Sequence, residues 1–117
     1  MTYIDGFVLA VPTENKERYR EVAKDAAVIF KEYGALKVVE CRGDDVPDGK
    51  ITSFPMAVKK QDNETVIFSW IVWSDKAARD AGMAKVMADP CMNPENNPMP
   101  FDGKRMIYGG FEVILDV

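Results

Sequence analysis

The hydrophobic positions along this chain follow two rhythms, and each change of rhythm marks a change of element. Tyr3 to Val11 has a period of two, with Tyr3, Phe7, Leu9 and Val11 on one face and Ile4, Gly6, Val8 and Ala10 on the other. Apolar residues on both faces predict a central strand covered on both sides, with Asp5 set in unusually apolar surroundings. Pro12-Thr13 ends the strand, and Thr13 is placed to cap the helix that follows. From Glu14 the apolar positions are Tyr19, Val22, Ala23, Ala26, Phe30 and Tyr33, the spacing of an amphipathic helix that closes on Gly34. Lys16, Glu17, Arg20, Glu21, Lys24 and Asp25 form its solvated face.

Leu36 to Arg42 predicts a second strand, followed by the turn-rich loop GDDVPDGK. Its three aspartates lack the spacing and closing glutamate of an EF-hand, so the loop reads as solvated rather than metal-binding. Phe54-Pro55 rules out a regular central strand before the turn at Gln61 to Glu64. Thr65 to Trp73, TVIFSWIVW, is the strongest strand, and its period of two sends Trp70 and Trp73 to opposite faces. Ser74-Asp75 caps a second helix, with surface pairs Asp75/Arg79 and Lys76/Asp80 and a buried stripe of Ala78, Gly82, Met83, Val86 and Met87. Pro90 ends it, CMNPENNPMPFDG is a Pro- and Asn-rich connection, and a last strand is expected from Lys104 to Val117.

The order β-α-β-β-α-β is the split βαβ, or ferredoxin-like, plan: an α+β fold with an antiparallel sheet and helices on one face. A length of 117 residues allows one core, so residues 1–117 are taken as a single domain. With helices on one face only, the apolar second face of the sheet needs a cover, and a homodimer across a two-fold axis supplies one.

Gly109 and Gly110 stand in the middle of the last strand, where glycine forfeits side-chain packing and costs backbone entropy. Two readings follow. In one, the pair lets the strand bend or pack closely; in the other, a ligand lies against bare backbone between Tyr108 and Glu112.

Composition narrows the chemistry mainly by exclusion. The chain has no histidine, which removes Ser-His-Asp and Cys-His catalysis, histidine metal sites and His-ligated haem. A net charge of −4 with short, acid-flanked basic runs argues against nucleic acid. The N-terminus lacks a basic leader, no apolar run suffices to span a bilayer, and two cysteines suggest no disulfide framework, so a cytoplasmic protein with reduced thiols is expected. Of these thiols, Cys41 reads as a small buried hydrophobe and Cys91 as the more reactive.

The stretches YIDGFVLAVP, FKEYGALKVVEC, DDVPDGK, ETVIFSWI, ARDAGMAKVMADP and MPFDGKRMIYGGFEVI resemble the YbaA-like family, small bacterial proteins classed as a domain of unknown function. The resemblance covers essentially the whole chain. It implies a ferredoxin-like protomer of the dimeric α+β barrel superfamily, which includes cofactor-free quinone-forming monooxygenases, haem degraders, chlorite-dismutase-like proteins and stress-related modules. No family activity comes with it.

Asp5, Glu40, Arg105, Tyr108 and Glu112 fall on predicted strands or their ends. A buried carboxylate left without a partner has a raised pKa and makes a proton acceptor; the plainer reading is an ion pair of Asp5 or Glu40 with Arg105. Asp5, Tyr108 and Arg105 are therefore the candidate catalytic groups. Trp70, Glu40, Glu112, Gly109 and Gly110 are the candidate ligand-binding positions, with no metal and no cofactor expected. The functional expectation is a homodimer that binds a small apolar or aromatic metabolite, with cofactor-free monooxygenase chemistry as its reaction. The alternative is a non-catalytic binding or stress-related module whose sheet face serves only dimerisation. Such a module has a filled interior, so an open pocket separates the two.

Overall fold

Four antiparallel strands lie in the order β2-β3-β1-β4. They are β1 (Tyr3–Pro12), β2 (Lys37–Arg42), β3 (Glu64–Trp73) and β4 (Ile107–Glu112). The helix α1 (Lys16–Glu32) links β1 to β2, and α3 (Lys76–Ala88) links β3 to β4, so two β-α-β units interleave as the ferredoxin-like plan requires. The computed structural model describes residues 2–95 and 98–117; Met1 and, within the Pro- and Asn-rich connection, Asn96 and Asn97 lie outside the described residues. No helix among the described residues is long and apolar enough to cross a membrane.

β1 and β3 pair along their full lengths, from Tyr3 opposite Trp73 to Pro12 opposite Glu64. Because side chains alternate, this register puts Tyr3, Asp5, Phe7, Leu9 and Val11 on the helix side together with Ile67, Ser69, Ile71 and Trp73. One core cluster there is Tyr3, Ala35, Ile71 and Trp73, and a second is Leu9, Val11 and Ile67. On the opposite face Val8, Ala10 and Val66 meet Val58, which follows the short helix α2 (Phe54–Ala57). That helix explains the mixed signal around Phe54-Pro55: Pro55 sits in its first turn, where a missing N–H costs nothing, and the Ser53 hydroxyl accepts from Met56 N at 3.1 Å. The rest of the opposite face stays open, with Phe68, Ile107 and Phe111 exposed.

α1 closes with Gly34 at a φ of 111°, and Ala35 N donates to Phe30 O while Gly34 N donates to Lys31 O, the paired bonds of a Schellman cap. Its start differs from expectation. Thr13 belongs to a short 3-10 turn and its hydroxyl is bonded to that of Thr65 at 2.8 Å, so no side chain caps α1. Asp75 does cap α3, accepting from Ala78 N at 2.7 Å. Along α3, Gly82 and Val86 are buried, whereas Met87, expected inside, is exposed. Gly82 is required by Trp73: a Cβ there would overlap the indole ring and fall 2.6 Å from Tyr33 O.

The last strand is shorter than its apolar pattern predicts. Gly103–Arg105 forms a 3-10 turn, pairing begins at Ile107, and the ladder stops when Val113 N donates to Thr2 O. Beyond that point no described residue of the C-terminal segment pairs with β1, which begins at Tyr3. Ile114, Leu115 and Val117 are exposed. The glycine pair divides its work between the two faces. Gly110 lies on the helix side, where a Cβ would come within 2.7 Å of the Tyr3 ring, so the bare backbone makes room for that aromatic. Gly109 lies opposite Gly6 on the open face, and the Phe111 ring folds over both.

Candidate functional site

α1 is pinned to the sheet at its two ends and stands off in between. At one end Phe30 packs edge-on against Trp73 with ring centres 6.5 Å apart; at the other Tyr19 packs against Phe101 at 5.8 Å. Between these aromatics the sheet-facing positions are Ala23, Ala26 and Ala27, which are too short to reach the strands, and no residue of α1 is fully buried. A cleft remains beneath the helix. Its larger part encloses about 340 Å³ above Val11, Val38 and Ile67; a smaller part of about 120 Å³ extends toward Phe7, Leu9 and Ile71.

The Tyr19–Glu40 pair divides the two parts and borders both. Glu40 stands opposite Ser69 on the edge strand β2, and the alternation that places Val38 and Arg42 beneath α1 places Glu40 there too. The Tyr19 hydroxyl donates to Glu40 Oε1 at 2.6 Å. As a residue Glu40 remains exposed at the sheet edge, but withdrawal of its carboxyl from water under α1 raises its pKa above the usual carboxylate value, opposed by the bond from Tyr19. Burial, followed by the neighbouring Glu40 charge and hydrogen bond, pushes the Tyr19 phenol far above its ordinary value. The pair thus combines a carboxylate of strengthened basicity with a phenol that stays neutral and donating.

The other residues singled out in the sequence are dispersed. Asp5 is buried beneath α3, where its carboxylate accepts from Arg79 Nη2 at 2.8 Å, from Arg79 Nε at 3.1 Å and from Trp73 Nε1 at 3.0 Å. The Arg79 guanidinium lies over the Tyr3 ring at 5.3 Å and also donates to Asp80. The ion pair expected between Asp5 or Glu40 and Arg105 therefore forms with different partners. Asp5 takes Arg79, which the sequence reading paired with Asp75, because the first turn of α3 begins where β3 ends beside the start of β1. Arg105 makes a two-pronged pair with buried Glu64, at 2.6 and 2.7 Å, and adds Lys59 O and Asp102.

Tyr108 is exposed at the sheet edge, stacked on Phe7 with ring centres 6.4 Å apart, and Glu112 is exposed at the end of β4. Trp70 and Gly109 face away from the helices, and Gly110 is exposed on the helix side beside Tyr3. Of the eight positions singled out as site residues, Glu40 lies in the cleft. Tyr19 was assigned only to a helix stripe; the run of alanines between it and Phe30 is the signal of a helix held off its sheet. Cys91 is exposed, but its hydrogen bond to Asp89 and that carboxylate's charge raise its pKa, the reverse of a reactive thiol. Among the described residues no cluster of three His, Cys, Asp or Glu side chains is arranged to hold a metal ion.

Comparison with known proteins agrees with the fold. A family model described as "Protein of unknown function (DUF1428)" matches residues 2–103. The uncharacterised protein YbaA of Escherichia coli K12 is 60% identical over 116 residues, covering 99% of both chains, and the one from Shigella flexneri is equally similar. Among solved structures, a dimeric ferredoxin-like protein from an uncultured marine organism superimposes with a TM-score of 0.65 at 13% identity, covering 99% of this chain and 98% of that one. SnoaB, a cofactor-independent oxygenase from Streptomyces nogalater, superimposes with a TM-score of 0.53 at 19% identity over 99% and 94%.

Proposed function

We propose that this chain, which belongs to the DUF1428 family of proteins of unknown function, is a homodimer that binds a small, largely apolar or aromatic molecule beneath α1 and uses Glu40 to take a proton from it. The observation that carries the reading is the open cleft of about 340 Å³ with the Tyr19–Glu40 pair set beside an apolar floor of Val11, Val38 and Ile67. A filled interior would have favoured the non-catalytic module. Dimerisation is supported by the open sheet face, where Phe68, Ile107 and Phe111 are exposed beside half-buried Trp70 and Val72, and by the dimeric fold neighbour.

The chemistry that suits this pair is removal of a proton from an electron-rich ring, and the cofactor-independent oxygenase among the fold neighbours is a parallel at the level of fold. Glu40 accepts the proton of an activated ring CH2 and the resulting carbanion adds to dioxygen. The same proton then returns to give a hydroperoxide. Loss of water leaves a carbonyl, so CH2 and O2 become C=O and H2O, and the ring carbon supplies all the electrons. A raised pKa makes Glu40 a stronger base than an ordinary carboxylate.

The test uses native mass spectrometry on the purified protein, then oxygen uptake with 1,8-dihydroxy-9-anthrone in air-saturated buffer. The expected result is a dimer whose anthrone oxidation exceeds that of buffer and falls at least tenfold in Glu40→Gln. A monomer overturns the assembly; anthrone oxidation unchanged by Glu40→Gln overturns the assignment of the base.

A further inference from the structure

Charge is distributed around the cleft in a way that the proton-transfer reading does not use. Lys16, Arg20 and Lys24 follow one another at intervals of four on α1, so they form one stripe along the helix, and all three border the larger part of the cleft. Arg42 borders it from the opposite wall, two residues beyond Glu40 on β2. Four cations thus ring one opening in a chain whose net charge is −4. Glu40 is the single carboxylate among the lining residues, and it is engaged by Tyr19.

Among the described residues, three of the cations elsewhere are held in ion pairs and the others are not. Arg79 is held by Asp5 and Asp80, Arg105 by Glu64 and Asp102, and Lys76 by Asp80. Around the cleft, Lys16, Lys24 and Arg42 have no acidic partner within salt-bridge distance among the described residues, and Arg20 reaches only Glu17, at 3.8 Å on the exposed side of the helix. A solvated helix face accounts for the lysines of α1. It does not account for Arg42 bordering the same opening from the sheet, nor for a lining in which four cations meet one carboxylate, Glu40. Clefts lined by one sign of charge over an apolar floor attract and hold ions of the opposite sign.

We propose that the molecule bound beneath α1 is an aromatic acid: its ring lies on Val11, Val38 and Ile67, and its anionic group sits at the opening among Lys16, Arg20, Lys24 and Arg42. This rests on the reading of the cleft as the ligand site. The anion fixes orientation, since a ring held by its acidic end at the mouth presents its far side to Glu40. Arg42 and Arg20 offer planar donor sets suited to a carboxylate, and the lysines add charge without demanding geometry.

The test compares two dyes that share one ring system, 8-anilinonaphthalene-1-sulfonate and its uncharged parent N-phenyl-1-naphthylamine, each titrated by fluorescence at 50 mM and 300 mM salt. Wild-type protein is set beside an Arg20→Gln/Arg42→Gln double variant and beside Ala27→Leu, which fills the cleft. The expected result is that the sulfonate binds wild type at least tenfold more tightly than the parent at low salt. That preference shrinks at high salt and falls to threefold or less in the double variant, while Ala27→Leu weakens both dyes. Equal binding of the two dyes, both weakened by Ala27→Leu, overturns the anion and leaves the cleft as a neutral-ligand site. Binding of both dyes that is indifferent to Ala27→Leu, or no binding of either, overturns the cleft reading and the anion with it. A sulfonate preference that survives the double variant also overturns the proposal, because the anion would then be held elsewhere.

Discussion

The space beneath α1 can be tested by filling it. Ala27 lines both parts of the cleft from the helix side and is half-buried, so Ala27→Leu adds three carbon atoms that point at the gap. Complete burial of three such carbons is worth about 2.4 kcal/mol at ~0.8 kcal/mol each. The cleft is open along one side, so about half of that survives, and leucine gives back a few tenths in helix propensity relative to alanine. The net expectation is a gain of about 1 kcal/mol, far inside what a cavity of about 340 Å³ can accommodate without strain. Urea unfolding followed by tryptophan fluorescence reads the change directly, because buried Trp73 reports on the packing of this sheet face. An unchanged m-value with a higher midpoint is the expected signature. A loss of 1 kcal/mol or more would refute the reasoning. It would mean that α1 already lies against the sheet in solution, and the site built on that space would fall with it.

Three further outcomes follow from contacts outside the cleft. Arg79→Met removes the partner of a carboxylate that is 2% exposed, and should cost about 3 kcal/mol in urea unfolding, with a strongly non-additive cycle against Asp5→Asn; additive effects would show that the pair is not coupled. Gly110→Ala forces the Tyr3 ring off the sheet and away from Arg79, so a loss of about 1–3 kcal/mol is expected, and a neutral substitution would contradict the close packing described. The hydrogen bond from Arg105 lowers the Glu64 pKa, so the unfolded chain takes up this proton first as pH falls; the stabilisation is present above about pH 4.5 and is lost through the lowered folded value. Glu64→Gln should therefore flatten the acid limb of stability measured between pH 3 and 6, and an unchanged limb would assign acid sensitivity to other groups.

The composition of each strand face was readable because the period of two is strict: once Tyr3 to Val11 and Thr65 to Trp73 are strands, the residues sharing a face follow, whereas the pairing, and with it the face that meets the helices, depends on how the strands come together. The end of the last strand was not readable. Its apolar alternation continues to Val117, but a strand needs a neighbour, and β1 begins at Tyr3. The same limit explains the charged groups. Asp5 was marked by its apolar setting, yet its partner depends on where the first turn of α3 crosses the sheet, which no local pattern encodes. Lys16, Arg20 and Lys24 have the spacing of a solvated stripe and are partly that. Only the position of Arg42 across the gap gives them a second meaning, and that position exists only once β2 lies beneath α1.

The two helices treat the same sheet face in opposite ways, and the contrast bears on function. α3 is drawn in tightly: Gly82 admits the Trp73 ring, and the Asp5–Arg79 pair ties its first turn to the central strand. α1 packs through an aromatic toward each end, with the Tyr19–Glu40 bond to β2, over a run of alanines. Larger apolar residues at those alanines would fill the gap and add stability at little cost in helix propensity, so a chain shaped for stability alone has no use for the space. Gly82 and Val86 of α3 are buried, whereas no residue of α1 is fully buried. A bound ring would complete the packing that the alanines leave unmade, while Glu40, carried on the sheet and bonded to Tyr19, keeps its position against it. A gap beneath the helix and a carboxylate fixed on the sheet by Tyr19 suit a site that must admit a flat molecule and still hold one carboxylate at a defined distance from it.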